Sequence, residues 1–162
     1  MISILPVDTS IRSELLMKIS KLADEDDEIL GNTALYTFSG DSLYVLLRDE
    51  VVLGFIQYYI KKTKPEITIH RICVKQDCRR LGYGKLLLQV LITECLSSCI
   101  QLIRLKCPVG IPANQFYQST GFIFKELSVA RTGRALNCWE LEIHKQKECP
   151  DESHTENIQK NS

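Results

Sequence analysis

Apolar residues fall along this chain mostly in short runs of strand length, separated by stretches with helical spacing. Ile2–Leu5 alternates weakly and stops at Pro6, which fits a short first strand. Ile11, Leu15, Ile19 and Leu22 then recur at the spacing of one helix face, and Asp8 or Thr9 can cap that helix. The acidic stretch Ala23–Glu28 is expected to carry the helix into a loop or a second short helix. Leu43–Leu47 and Val51–Ile60 are β-rich and divided by Arg48-Asp49-Glu50, the pattern of a hairpin. Lys61–Pro65 is a basic turn, and Ile67–Val74 is almost continuously apolar, as a central strand would be. Leu86, Leu87, Val90, Leu91 and Leu96 predict an apolar helix packed on the sheet. Leu102–Cys107 reads as a fifth strand, Pro112–Gln118 as a short helix, Phe122–Lys125 as the start of a sixth strand and Leu136–Ile143 as a seventh. From Lys145 to Ser162 almost nothing can be buried, so this segment reads as a disordered tail after a domain spanning residues 1–144.

Composition narrows the function classes modestly. The chain has 162 residues, 44% of them hydrophobic and 25% charged, with a formal net charge of zero. That is the balance of one ordinary soluble domain, and it argues against a protein built to hold long nucleic acid. No apolar run approaches the ~18 residues of a membrane span, and the first residues lack the pattern of an export signal, so a cytoplasmic protein is expected. Seven cysteines are present without a Cys-x-x-Cys pair. Cys95 and Cys99 have no neighbouring ligand pair to complete a zinc site, and most of the cysteines read as small buried hydrophobes in a reducing compartment, a metal or redox role being the alternative. No metal is implied.

The sharpest chemical feature is Arg79-Arg80-Leu81-Gly82-Tyr83-Gly84-Lys85, placed after the fourth strand and before a helix. Strand, glycine loop and helix in that order bring free backbone N–H groups and the positive end of a helix dipole to one point, suited to a pyrophosphate. The same glycines would also serve an ordinary turn. The spacing is neither that of a Walker loop nor that of a dinucleotide fingerprint.

The segment Val74-Lys-Gln-Asp-Cys-Arg79-Arg-Leu-Gly82-Tyr-Gly84-Lys resembles motif A of the GNAT superfamily of acyl-CoA N-acyltransferases, written Gln/Arg-x-x-Gly-x-Gly/Ala. Downstream, Phe116-Tyr117-Gln118-Ser119-Thr120-Gly121-Phe122 resembles the family's Phe-Tyr-x-x-x-Gly-Phe element. The resemblance covers roughly residues 2–143, and Gly54 stands where many members carry a glycine in the third strand. It implies an α/β (α+β) fold, with a mixed, mostly antiparallel sheet of six or seven strands flanked by about four helices. It also implies acetyl-CoA as co-substrate, with acetyl transfer to a primary amine by direct attack in a ternary complex.

Site residues follow from the resemblance. Main-chain groups of Ile72, Cys73 and Val74 would hold the pantetheine arm as an added strand and polarise the thioester carbonyl. Arg79, Arg80, Leu81, Gly82, Tyr83, Gly84 and Lys85 would clasp the diphosphate. Tyr117 would act as general acid toward the leaving thiolate, or else only pack beneath the cofactor. His70 matches a histidine of the arylalkylamine N-acetyltransferases, and its ordinary pKa near ~6.5 suits a general base. Alternating strand geometry predicts that it shares a face with Ile72 and Val74, although a lone strand histidine also serves as a hydrogen-bonded core residue. Histone-type members carry a glutamate at the position of Thr68, and Glu66 is the runner-up base here. Gly110 replaces the usual asparagine before the tyrosine, and Asn114 is expected to take over its contact with the coenzyme. Arg131 and Arg134, in the last hairpin, would bind a carboxylate or phosphate of the acceptor, or be solvated charges. Trp139 reads as core. The acidic region Ala23–Glu28 would overhang the acceptor, or be a solvated face. Expected partners are an amine-bearing small molecule or peptide, less readily a charged tRNA, and a second copy of the chain. The alternatives are a toxin acetylating aminoacyl-tRNA and a non-catalytic acyl-CoA-binding protein.

Overall fold

The computed structural model describes residues 1–10, 13–30, 38 and 40–145, with main chain alone at 28–30. Its elements run β1 (Ile2–Val7), α1 (Glu14–Leu30), β2 (Ser42–Arg48), β3 (Val51–Ile60), β4 (Glu66–Val74), a single 3-10 turn (Gln76–Cys78), α2 (Tyr83–Ser97), β5 (Leu102–Pro108), α3 (Ala113–Ser119), β6 (Ile123–Val129) and β7 (Ala135–Glu142). The strands form one seven-stranded sheet in the order β1-β2-β3-β4-β5-β7-β6. Every neighbouring pair is antiparallel except β4 and β5. That single parallel pair is joined through α2, the crossover a parallel connection requires.

Two apolar layers sandwich the sheet. On one face Ile19, Leu22 and Ala23 of α1 pack with Phe38, Leu43, Val45, Phe55 and Cys73. On the other, Leu87, Leu88, Leu91 and Cys95 of α2 and Tyr117 of α3 pack with Ile56, Tyr58, Ile67, Ile69, Ile103 and Leu105. Each large side chain buried this way contributes about 1.5–3 kcal/mol. The buried stripe of α2 differs from the expected one, because Leu86 and Leu96 face solvent while Leu88 and Cys95 turn inward. Three consecutive leucines leave the helix phase ambiguous, and the sheet decides it.

The start of α1 also departs from expectation. The Ser13 hydroxyl accepts the Leu16 N–H (3.1 Å), so Ser13 caps the helix, while the Asp8 carboxylate accepts from both the N–H and the hydroxyl of Ser10 in the preceding turn. The acidic stretch does not break α1, which continues through it to Leu30. Ile11 and the segment after Lys145 lie outside the described residues. Among the described residues no helix is long and apolar enough to cross a membrane.

The β2–β3 hairpin turns through Asp49 and Glu50, both at positive φ (46° and 69°), a two-residue turn whose hand matches the twist of the strands. A second irregularity matters more for the site. Gln57 pairs with Arg71 and Tyr58 with Ile69, so His70 is an extra residue bulged out of β4. Strict alternation therefore fails at His70. Ile72 and Val74 pack toward α2, whereas His70 contacts Asp41 and Arg71 contacts α1. The expected common face of His70, Ile72 and Val74 is not formed, because the bulge reverses the phase of the strand.

Candidate active site

The parallel ladder between β4 and β5 is short, running from Glu66 opposite Leu102 to Ile69 opposite Leu105. Beyond it β4 remains paired with β3 as far as Val74, and β5 with β7 as far as Pro108, but the two no longer pair with each other. The sheet thus opens between the carboxyl ends of two parallel strands, the position at which open α/β sheets take their ligands. Arg71–Val74 keep a partner strand on one side only. Gly54 lies directly across from Val74, and the space is tight: a Cβ there would stand 2.6 Å from the Cys73 carbonyl oxygen.

The glycine loop sits at the mouth of this opening. Arg80 and Gly82 both adopt positive φ (62° and 84°), which turns the chain into α2 with no side-chain cap. Among the described residues, no acceptor meets the N–H groups of residues 80 to 85. No acidic residue occupies the first turn of α2, so six amides and a helix N-terminus present positive potential together. Gly84 lets α2 approach α3 closely, since a Cβ there would lie 3.2 Å from the Phe116 ring.

Side chains of the loop divide into two groups. Arg79 is anchored: its Nε donates to the Val74 carbonyl (2.9 Å) and its Nη2 to Asp26 Oδ1 on α1 (2.7 Å). The Tyr83 hydroxyl accepts from Arg48, whose guanidinium carbon lies 5.7 Å from the phenol ring centroid. Arg80, Leu81 and Lys85 are exposed, and neither cation has an ion-pair partner among the described residues. The acidic segment of α1 is consequently divided, with Asp24 and Glu25 exposed and Asp26 and Asp27 engaged within the protein. Asp26 holds Arg79, and Asp27, with the Ala23 carbonyl, holds Arg71 of β4.

Tyr117 lies behind the opening, edge-on between Phe116 (centroids 5.5 Å) and Phe122 (5.6 Å). Burial pushes its phenol well above the ordinary tyrosine range, and nearby Cys107 and Asp26 add to the effect, so it stays protonated at neutral pH. Its hydroxyl has no hydrogen-bond partner among the described residues. Asn114, one helical turn earlier, is fully occupied. Its Nδ2 donates to the carbonyls of Pro108 (2.8 Å) and Ile111 (3.1 Å), and its Oδ1 accepts from Asn137 (3.0 Å) and the Trp139 indole (3.0 Å). The expected coenzyme contact from this side chain has no donor or acceptor left to make it. Asn114 instead pins α3 to β5 and β7, and Trp139 is buried as core.

His70 stands on the opposite face from Tyr117, with Nδ1 2.7 Å from Asp41 Oδ2. Thr68 and Glu66 precede it, but Glu66 is held by Lys61 (3.3 Å) and Arg104 (3.7 Å), in a ladder that continues from Arg104 to Glu140 and Lys125. A carboxylate so engaged is a poor candidate base. Cys73 is buried, and desolvation pushes its thiol up to about 12, far from the thiolate that nucleophilic chemistry requires. Arg131 and Arg134 flank the β6–β7 turn, where the Ala130 N–H donates to the Arg134 carbonyl (2.8 Å). Pro108, at the end of β5, pairs with Leu136 of β7, so this turn lies at the carboxyl end of β5, the end at which the sheet opens. Among the described residues, no group of three or more His, Cys, Asp or Glu converges as a metal-ligand set.

The structure therefore brings together the loop amides, the free edge of β4, Tyr117 and the α1 carboxylates. The partners Asp41, Gln57, Asp26 and Asp27 carry no local sequence signal; only sheet register and helix docking bring them to the site.

Solved structures share this fold. The ribosomal-protein-S18-alanine N-acetyltransferase from Escherichia coli is 19% identical, with 91% of this chain and 97% of that chain covered at a TM-score of 0.68. Ard1 from Thermoplasma volcanium is 17% identical over 89% and 99%, with a TM-score of 0.70. A protein assigned as a streptothricin acetyltransferase from Bacillus anthracis str. Ames, solved with acetyl coenzyme A, is 21% identical over 65% and 64%, with a TM-score of 0.58. At these identities the likeness speaks for the fold. No curated protein sequence matches significantly. The family model described as "Acetyltransferase (GNAT) family" matches residues 12–122, a span that includes the glycine loop, β4 and α3. With that match spanning most of the chain, this protein belongs to the acetyltransferase (GNAT) family.

Proposed function

We propose that the protein is an acetyl-CoA-dependent N-acetyltransferase that moves an acetyl group to a primary amine by direct attack in a ternary complex. The observation that carries this reading is the row of amides at residues 80–85, without acceptors among the described residues, at the mouth of an opening backed by Tyr117. Those amides, with Arg80 and Lys85, suit the diphosphate of coenzyme A, and Arg79 braces the loop from behind. The unpaired edge of Ile72, Cys73 and Val74 suits the amide-bearing pantetheine arm as an added strand, and one of its N–H groups polarises the thioester carbonyl.

The chemistry balances within this set. The amine nitrogen attacks the carbonyl carbon and the C–S bond breaks. His70 takes a proton from the amine, and Tyr117 gives one to the departing sulfur. A phenol held protonated by burial is suited to that donation. Acceptor selection falls to the hairpin bearing Arg131 and Arg134, which fits an amine that also carries an anionic group. The named activity of the E. coli neighbour, on an alanine of a ribosomal protein, makes a protein amine as reasonable an acceptor as a small molecule.

The test is thiol release from acetyl-CoA over a panel of amines, amino acids, peptides and charged tRNA, with calorimetry of coenzyme binding alongside. Tyr117→Phe should lower kcat by ~10²–10⁴-fold and leave coenzyme affinity nearly intact. No binding heat with acetyl-CoA would overturn the reading, and full turnover of Tyr117→Phe would remove Tyr117 as the acid.

A further inference from the structure

The bulge that expels His70 from the ladder delivers its ring to a carboxylate from outside the strand. Asp41 lies just before β2, 29 residues earlier, and its Oδ2 is 2.7 Å from Nδ1 of the imidazole. The same oxygen accepts a hydrogen bond from the Gln57 side-chain amide of β3. Gln57 is 1% exposed and the Asp41 side chain 11%, whereas the His70 side chain is 45% exposed. The carboxylate is thus fixed in the protein while the far edge of the ring is open. The Asp41 main chain is tied as well, its N–H donating to the Phe38 carbonyl (3.1 Å) and its C=O accepting from the Thr9 hydroxyl (2.9 Å).

We infer that Asp41 is a positioning residue for His70, holding the neutral ring as the Nδ1–H tautomer with a bare Nε2 turned toward the acceptor amine. This rests on the reading of His70 as the base. An ionised carboxylate only accepts hydrogen bonds, so the nitrogen facing it must carry the proton, and in a neutral ring the other nitrogen is then the acceptor. Nε2 meets no partner among the described residues, and Asp41 is the one charged group they show in contact with the ring. Gln57 gives the arrangement direction. Its N–H needs an oxygen at the position of Oδ2, so the group facing Nδ1 is kept an acceptor. Glu66, the other carboxylate on this strand, is bound to Lys61 and Arg104 and takes no part.

The tautomer can be read without turnover. Two-bond 1H–15N correlation spectra of the 15N-histidine-labelled full chain, above the pH at which the ring titrates and assigned with His70→Gln, should show protonated Nδ1 and bare Nε2 at His70. An Nε2–H signal in the wild type overturns the inference. Asp41→Ala should move the ring toward the Nε2–H tautomer and lower kcat on the order of tenfold or more, a part of what a general base supplies, with the KM for acetyl-CoA within about twofold. Asp41→Asn, whose amide oxygen Gln57 still orients, should keep the Nδ1–H tautomer and fall between the two in kcat. It also serves if the alanine variant fails to fold. Unchanged kcat in both variants overturns the inference. A protonated Nδ1 together with full turnover of His70→Gln would sink the base reading while the tautomer assignment stands. An Nε2–H ring together with an inactive His70→Gln would do the reverse.

Discussion

Gly54 offers a direct test of whether the backbone of Cys73 and its neighbours is part of the working site. A Cβ at this position would lie 2.6 Å from the Cys73 carbonyl oxygen and 3.4 Å from both Leu87 Cδ1 and Val74 Cα. The clash is with backbone rather than with the end of a flexible side chain, so the two strands must part, by about 0.8 Å if ordinary contact begins near 3.4 Å. That carbonyl belongs to the stretch proposed to hold the pantetheine arm. Overpacking of this kind costs about 1–3 kcal/mol, offset by about 0.4–1 kcal/mol from the stiffer unfolded chain. The net loss for Gly54→Ala is therefore about 1–2 kcal/mol, a fall in Tm of about 2–8 °C for a domain of this size.

The effect on function should exceed the effect on stability, because a displacement near 1 Å at a reacting centre can cost about 10²-fold. We expect the kcat/KM measured against acetyl-CoA to fall by about 10–100-fold, while binding of the acceptor amine, measured apart from the coenzyme, changes little. Thermal melts and steady-state thiol release read the two quantities separately. Refutation is simple: a variant with lowered Tm and wild-type kcat/KM would mean that the β4 backbone is scaffold rather than site. A variant unchanged in both would mean that the strands part without cost and the tight contact does not constrain them.

Two further predictions concern the acceptor and alkaline pH. Arg134→Ala should raise the KM for an acidic amine acceptor by roughly 10–100-fold, the loss of one hydrogen bond to a charged group, without changing coenzyme binding; equal effects on neutral and acidic acceptors would remove Arg134 from acceptor recognition. Burial holds the thiols of Cys73 (up to about 12) and of Cys95 and Cys107 (each up to about 11) above the ~8.5 of an exposed thiol, so the unfolded chain loses protons first as pH rises. The thiols' contribution to stability should be level between neutral pH and ~8.5 and then decline by up to about 1.4 kcal/mol per pH unit per thiol toward pH 11, read as a falling urea midpoint under reducing conditions. A flat profile across that window would contradict the burial argument.

What the sequence made legible was whatever repeats locally. The apolar runs located six strands to within a residue or two at each end and the start of the seventh, β6, which runs on to Val129, and the glycines before α2 marked the loop, because turn chemistry and periodicity are short-range properties. The helix phase of α2 was illegible, since Leu86, Leu87 and Leu88 are equivalent until a sheet covers two of them. Arg79 was legible as a cation, but its ion pair depends on α1 docking Asp26 from 53 residues away. Asn114 was read as a ligand because its spacing from Tyr117 suits one. Only the packed β7, with Asn137 and Trp139 directed at it, shows that its hydrogen bonds are spent within the protein. Asp41 carries no local mark, since a lone Asp after Gly40 is also what a loop would have.

The deepest departure from the sequence reading, the bulge at His70, also accounts for the site's geometry. The last parallel pair is Ile69 opposite Leu105, and the next residue of β4 is the bulged one. Parting of the strands and the break in alternation therefore occur at a single step of the chain. A bulge bends its strand and increases the local twist, which swings the remainder of β4 away from β5 while β3 still holds its other edge. From that point the strand has a free edge for an extended ligand, and the residue at the apex has its side chain turned out of the ladder toward Asp41. The two things the proposed acyl transfer would ask of this strand, an open row of backbone groups and His70 as a base, meet at this one inserted residue.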